Sequence, residues 1–142
     1  MNGVLDASMA LAWLFTRADP NEAALANRAL NALSLDSWLV PAIWHAELGN
    51  ALLRGERAGL IPPSQSVFFL ERVSLATIET DAGSPRSRIA AVLALARAHQ
   101  LTAYDASYLE LAVRTGRPLA TFDRYLAAAL RNAGGAIYGD AP

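Results

Sequence analysis

The sequence has no cysteine, no lysine and only two histidines. Without cysteine there can be no disulfide framework, zinc finger or thiol nucleophile, and a reducing cytoplasm is the expected location. Without lysine, the P-loop lysine and Schiff-base chemistry are excluded. All twelve basic residues are arginine, which together with the abundant alanine reads as the imprint of GC-rich coding. Long hydrophobic runs are also missing. Ile89 to Ala96 is too short to cross a bilayer, so no membrane association is expected. Met1-Asn2-Gly3-Val4-Leu5-Asp6 has no basic stretch ahead of an apolar one and does not read as a signal peptide. A net charge of −1 gives no global hint of a nucleic-acid partner. His45 and His99 lack ligand spacing. They read as an exposed helix residue and a helix C-terminal residue favoured by the dipole, and neither is assigned a catalytic role.

What the sequence does have is apolar mass. Hydrophobic residues make up 54% of 142 residues, enough for one domain over 1–142 with a sizeable core. Short apolar strands alternate with helical stretches. Gly3-Val4-Leu5, Trp38-Leu39-Val40, Leu75 to Glu79, Leu119-Ala120-Thr121 and Ala136-Ile137-Tyr138 read as five strands. Between them lie helices over Ala7 to Phe15, Asp19 to Leu33, Ile43 to Arg57, Pro62 to Val73, Arg86 to His99, Asp105 to Arg114 and Asp123 to Asn132. Asp19-Pro20-Asn21-Glu22 is a helix start, with the acid at the N-cap, proline first and glutamate third. The strands lack in-out alternation, which argues for a parallel sheet covered by helices on both faces.

The most informative stretch is Leu101-Thr102-Ala103-Tyr104-Asp105-Ala106-Ser107-Tyr108-Leu109-Glu110-Leu111-Ala112. Asp105 shares a helix face with Tyr108, Leu109 and Ala112, so its carboxylate is aimed at a buried surface, where a charge needs a partner. Asp6 follows the first strand directly and Asp123 follows the fourth. In a doubly wound sheet both lie at the carboxyl ends of strands, where ligands bind. Glu47 sits mid-helix among Ile43, Trp44, Asn50 and Ala51, on or beside the apolar stripe. Ser8 and Thr121 lie where they can orient carboxylates or water. Several oxygen donors with no cysteine and little histidine suit Mg²⁺ or Mn²⁺. Spacing alone nevertheless favours a plainer account, in which Asp6, Asp105 and Asp123 are helix N-caps. Glu47 resists it, because a mid-helix acid caps nothing. Trp13, Trp38 and Trp44 read as core or interface.

These residues resemble the motifs of the PIN-domain ribonucleases, and most closely the VapC toxins of type II toxin–antitoxin modules. Asp6-Ala7-Ser8 resembles the first acidic motif and Glu47-Leu48-Gly49-Asn50-Ala51-Leu52 the second. Leu101 to Leu109 resembles the third, and Leu119-Ala120-Thr121-Phe122-Asp123-Arg124-Tyr125-Leu126 the fourth. The resemblance covers essentially the whole chain. It implies an α/β domain with a five-stranded parallel sheet in the order 3-2-1-4-5. It further implies Mg²⁺- or Mn²⁺-dependent cleavage of single-stranded RNA by metal-activated water, leaving 5′-phosphate and 3′-hydroxyl ends. Asp6, Glu47, Asp105 and Asp123 carry over as the acidic site, with Ser8, Asn50 and Thr121 as supporting groups. It also implies a cognate VapB-like antitoxin and a homodimer. Trp13, Phe15 and Val67 to Leu70 serve either such an interface or the core.

Setting the four acids aside leaves nine acidic against twelve basic residues, a positive surplus for an RNA substrate. Arg114, Arg117 and Arg124 stand near the motifs as candidate phosphate contacts. Two other phosphoryl-transfer classes fit poorly. A haloacid-dehalogenase-like site wants aspartate where Ser8 stands, and a response-regulator receiver wants a lysine. The remaining alternative is a catalytically idle PIN-fold module that binds an antitoxin or RNA.

Overall fold

The computed structural model describes residues 2–141. Met1 and Pro142, the ends of the expected 1–142 domain, lie outside them. Four parallel strands form one sheet: β1 (Asn2–Leu5), β2 (Ser37–Val40), β3 (Ile78–Thr80) and β4 (Leu119–Ala120), in the order β3-β2-β1-β4. Seven helices connect them among the described residues: α1 (Ala7–Leu11), α2 (Pro20–Asn31), α3 (Ile43–Arg57), α4 (Pro63–Ser74), α5 (Pro85–His99), α6 (Ala103–Thr115) and α7 (Arg124–Asn132).

The expected fifth strand is reduced to a single parallel bridge between Leu119 and Ile137. The order 3-2-1-4-5 is therefore corrected to four strands with one bridge at the β4 edge. Leu119 N–H donates to Ala136 O, and Tyr138 N–H donates to Leu119 O. The ladder stops there because β4 offers only two residues between Pro118 and the turn that carries Asp123. Gly134 and Gly139, both at positive φ, bend the chain away on either side.

Local signals placed most helix ends. Asp19 caps α2 by accepting from Asn21 N–H and Glu22 N–H, with Pro20 at the first position. Glu22 does not complete a capping box; it pairs with Arg17 at 2.9 Å. The helix expected from Asp105 begins earlier. Gln100 ends α5 in the left-handed region, at φ 54°. Thr102 then caps α6, its Oγ1 accepting from Asp105 N–H at 3.1 Å. Asp105 is thus the third residue of α6 and not its cap.

The core sits on both faces of β1. Val4, Leu5, Met9, Trp38, Val40, Tyr108, Leu109, Leu119, Leu126 and Leu130 are fully buried. No helix among the described residues is long and apolar enough to cross a membrane. In Val67 to Leu70, only Phe69 joins the core; Val67, Phe68 and Leu70 are exposed. Gly3 allows Trp38 to lie flat against the central strand. A Cβ at Gly3 would fall 2.7 Å from Trp38 Cζ3 and 3.3 Å from the Pro118 carbonyl oxygen. Gly3→Ala is expected to destabilise the fold by about 1–3 kcal/mol through overpacking. Urea unfolding would report it as a lower midpoint at unchanged slope, and an unchanged midpoint would refute this account of the position.

Candidate active site

Parallel strands put all their carboxyl ends at one edge of the sheet, and β1 and β4 are neighbours there. The register pairs Val4 with Leu119 and Leu5 with Ala120. Asp6 and Thr121 are the next residues on each strand, so their side chains meet. Thr121 Oγ1 donates to Asp6 Oδ2 at 2.6 Å, and Ser8 Oγ donates to the same oxygen at 2.7 Å. Both hydroxyls are themselves fixed by backbone donors. Phe122 N–H donates to Ser8 Oγ at 3.0 Å, and Asp123 N–H donates to Thr121 Oγ1 at 2.9 Å. Each hydroxyl is thereby left with its proton for Asp6. Ser8 and Thr121 are both within the expected supporting set.

Asp6 is only 6% exposed. It occupies the N-cap position of α1 but makes no capping hydrogen bond. Asp123 does cap, accepting from Leu126 N–H at 2.9 Å through Oδ1. Of the three aspartates open to a capping reading, only Asp123 does that work.

Glu47 reaches the same edge from α3. Tyr108, on α6, donates its phenol proton to Glu47 Oε1 at 2.7 Å. Tyr108 is fully buried, and its oxygen also accepts a hydrogen bond from the backbone of Ala7. One phenol thus joins α6, α3 and the start of α1. Burial, with Asp6 and Glu47 nearby, pushes the phenol far above its ordinary range.

The four carboxylates act on one another. Burial pushes Asp6 up, against the hydrogen bonds from Thr121 and Ser8, and Asp123 adds to the rise. Burial likewise raises Glu47, with Asp6 and Asp105 adding to it. Asp105 is raised by burial and then by Asp123 and Asp6. No arginine is among the groups that shift these three acids. Asp6, Glu47 and Asp105, from three segments, therefore feel one another or Asp123, with no cation among the causes of their shifts.

The donor set is all carboxylate oxygen, which fits a hard divalent cation. Among the described residues, no group of three His, Cys, Asp or Glu side chains stands close enough to hold an ion in its present placement. Each of three acids is held by its own hydrogen bonds: Glu47 by Tyr108, Asp6 by Ser8 and Thr121, and Asp123 by Leu126 N–H.

The remaining expected residues divide. Asn50 is exposed, three residues beyond Glu47 on α3. Arg124 is exposed at the start of α7, directly after Asp123. Arg114 is already occupied. It pairs with the buried Glu110 at 2.7 Å and with Asp81 at 2.6 Å. Arg117 precedes β4, at the end of the strand away from Asp123, and its Nη1 is buried without a partner among the described residues. Both are poorly placed as phosphate contacts. Two neighbours of the site were missed. Tyr108 had a signal, since a phenol on a buried face requires an acceptor. Arg17 had none: its guanidinium lies 4.7 Å above the ring of Phe122, far away in sequence.

A family model described as the PIN domain matches residues 3–131. The chain is similar to the crystal structure of PAE2754 from Pyrobaculum aerophilum, at 25% identity and a TM-score of 0.72. That similarity covers 96% of this chain and 88% of the other. It is also similar in fold to FitAcB from Neisseria gonorrhoeae, at 22% identity and a TM-score of 0.59, over 98% of this chain and 97% of that one. Comparison with curated proteins finds no match.

The raised acids set a pH dependence. An acid whose pKa is raised by folding contributes stability fully below its unfolded value, near ~4, and that contribution is lost as pH rises through the folded value. EDTA-treated protein is therefore expected to lose stability from these groups between mildly acidic and neutral pH. Glu47→Gln keeps an acceptor for Tyr108 and removes one of the charges. It should melt above the unmodified protein at neutral pH and show no advantage near pH ~4. Thermal melts giving the opposite order at neutral pH would contradict this electrostatic picture.

Proposed function

The chain belongs to the PIN domain family, and from that premise we propose that it is a divalent-metal-dependent endoribonuclease, the toxin of a type II toxin–antitoxin pair. PIN domains are generally nucleases. The observation that supports the reading is that Asp6, Glu47 and Asp105 are each raised by burial and by neighbouring carboxylates, with no arginine among the causes. In this reading the whole chain, 1–142, is one PIN domain.

Asp6, Glu47, Asp105 and Asp123 would hold Mg²⁺ or Mn²⁺. When bound, such an ion supplies Lewis acidity that lowers the pKa of water and stabilises charge developing on the phosphate. The chain's own groups supply orientation. Ser8 and Thr121 fix Oδ2 of Asp6 with two donated hydrogen bonds, which leaves Oδ1 as the oxygen for a cation. Tyr108 holds one oxygen of Glu47 and leaves the second available. Asp123 uses Oδ1 as a cap and keeps Oδ2. Hydrolysis adds the hydroxyl of water to phosphorus and breaks the P–O3′ bond. The leaving oxygen takes up a proton, giving 5′-phosphate and 3′-hydroxyl ends. No histidine is needed as general base, and neither His45 nor His99 is among the groups that shift the acids.

The partners of this reading are an RNA substrate, a VapB-like antitoxin and a second copy of the chain. Exposed apolar residues on α4 (Val67, Phe68, Leu70) and on α5 (Ile89, Leu93) are the surfaces available for protein contacts.

Purified protein freed of antitoxin is expected to cut total bacterial RNA at discrete positions with Mg²⁺, and not with EDTA. Asp6→Asn, Glu47→Gln and Asp105→Asn should each lower the rate by at least ~100-fold, and Thr121→Val, which acts through Asp6, by about 10–100-fold. Mapping of new 5′ ends reads both site and chemistry. Full activity in any one of the three acid variants would overturn the assignment. Absence of cuts, with RNA still bound, would favour the idle binding module.

A further inference from the structure

A nuclease site needs a way to hold the strand on either side of the phosphate it cuts, and acids alone repel RNA. Two exposed aromatic side chains stand at the starts of the two helices that carry Asp105 and follow Asp123. Tyr104 is 59% exposed and Tyr125 is 81% exposed, in a protein whose buried phenol, Tyr108, is fully covered. They occupy matching places. Tyr104 is the second residue of α6, beside Asp105; Tyr125 is the second residue of α7, two after Asp123. Both helices therefore start at the carboxylates, and each carries an exposed ring within two residues of one of them.

Positive charge lies beside the second of these starts. Arg17 rests on the face of Phe122 at 4.7 Å, and Phe122 is the residue between Thr121 and Asp123. Glu22 engages its Nε, and among the described residues no hydrogen bond is made by the Nη donors, which leaves them for a ligand. Arg17 is not among the groups that shift Asp6, Glu47 or Asp105, so its charge is not consumed by the acids. Arg124, exposed at the first position of α7, has a cation where the helix dipole disfavours one. A phosphate would reverse that cost.

We propose that Tyr104, Tyr125, Arg17 and Arg124 form a stacking rim that holds unpaired bases and their phosphates on both sides of the acidic site. The rim rests on the nuclease reading above and adds the residues that select a single strand. Aromatic rings and arginine planes stack on splayed bases, and a duplex keeps its bases stacked on one another. The aromatic contacts supply affinity for bases of any identity, and the arginines make that affinity salt-dependent.

Fluorescence anisotropy in EDTA tests the rim without any cleavage. The probe is a labelled single-stranded RNA of about 12 nucleotides, alone or annealed to its complement. Tyr104→Ala and Tyr125→Ala are each expected to weaken single-strand binding by roughly tenfold, and the Phe variants to retain it. Arg17→Ala should lower the salt slope by about 0.7. Leu35→Ala, an exposed apolar residue between α2 and β2, serves as the unaffected control. Duplex binding should be indifferent to the tyrosine substitutions. Unchanged single-strand affinity in both alanine variants, or no single-strand binding by the unmodified protein, would overturn the proposal. Mg²⁺-dependent cleavage with neutral tyrosine variants would remove the rim and leave the nuclease. Tyrosine-dependent binding without cleavage would keep the rim and remove the nuclease.

Discussion

The structure depends on a carboxylate buried without a counter-charge. Asp6 ends the central strand, is almost wholly covered, and lies within electrostatic reach of Asp123. Removing such a charge from water is costly unless hydrogen bonds replace the lost solvation. Here two hydroxyls donate to a single oxygen, and each is held by a backbone N–H from the turn after β4. That arrangement exists only while β1 and β4 keep their register. A slip of one residue would turn Thr121 to the opposite face and strip Asp6 of a donor. The sheet is thus more than a scaffold beneath the site, because its pairing sets the solvation of the first acid.

The same molecule also shows what a purely structural acid cluster looks like. Glu110 is as deeply buried as Asp6, and Asp81 lies beside it. Arg114 reaches both, with its Nε on Glu110 and an Nη on Asp81. The charge there is neutralised within the chain. At the strand ends the chain provides hydroxyls and a phenol in place of a guanidinium, and the repulsion among the acids is left standing. Two clusters of one residue type in one domain are therefore treated oppositely. The one without an arginine is the one to which the proposed function assigns a cation.

Much of this was legible in the sequence where the determinants are local. The start of α2 followed from Asp19 and Pro20, and the bounds of α3 matched Ile43 to Arg57. Glu47 was recognisable because a mid-helix acid on an apolar face has no local use. What failed was decided at a distance. The length of a strand depends on its partner, and β4 is too short to pair with more than Ile137. The cap of α6 moved to Thr102 because a non-glycine residue, Gln100, adopts a left-handed conformation that its sequence does not announce. Arg114 was taken by Asp81, 33 residues away. Arg17 met Phe122 by tertiary packing alone.

The four acids are not equally restrained, and the difference bears on how an ion could be held. Asp6 and Asp123 are fastened to the β4 turn and to the first turn of α7. Glu47 and Asp105 are half-buried; one is tied by a single phenol, and the other has the Thr102 hydroxyl beside it. Glu47 and Asp105 can therefore move at less cost to the fold than Asp6 and Asp123. A cation would reverse the sign of the force on the looser pair while leaving the fixed pair where the sheet puts it. Rigidity on one side and compliance on the other is a physical route by which a charged site can remain folded without its ion and still close around one.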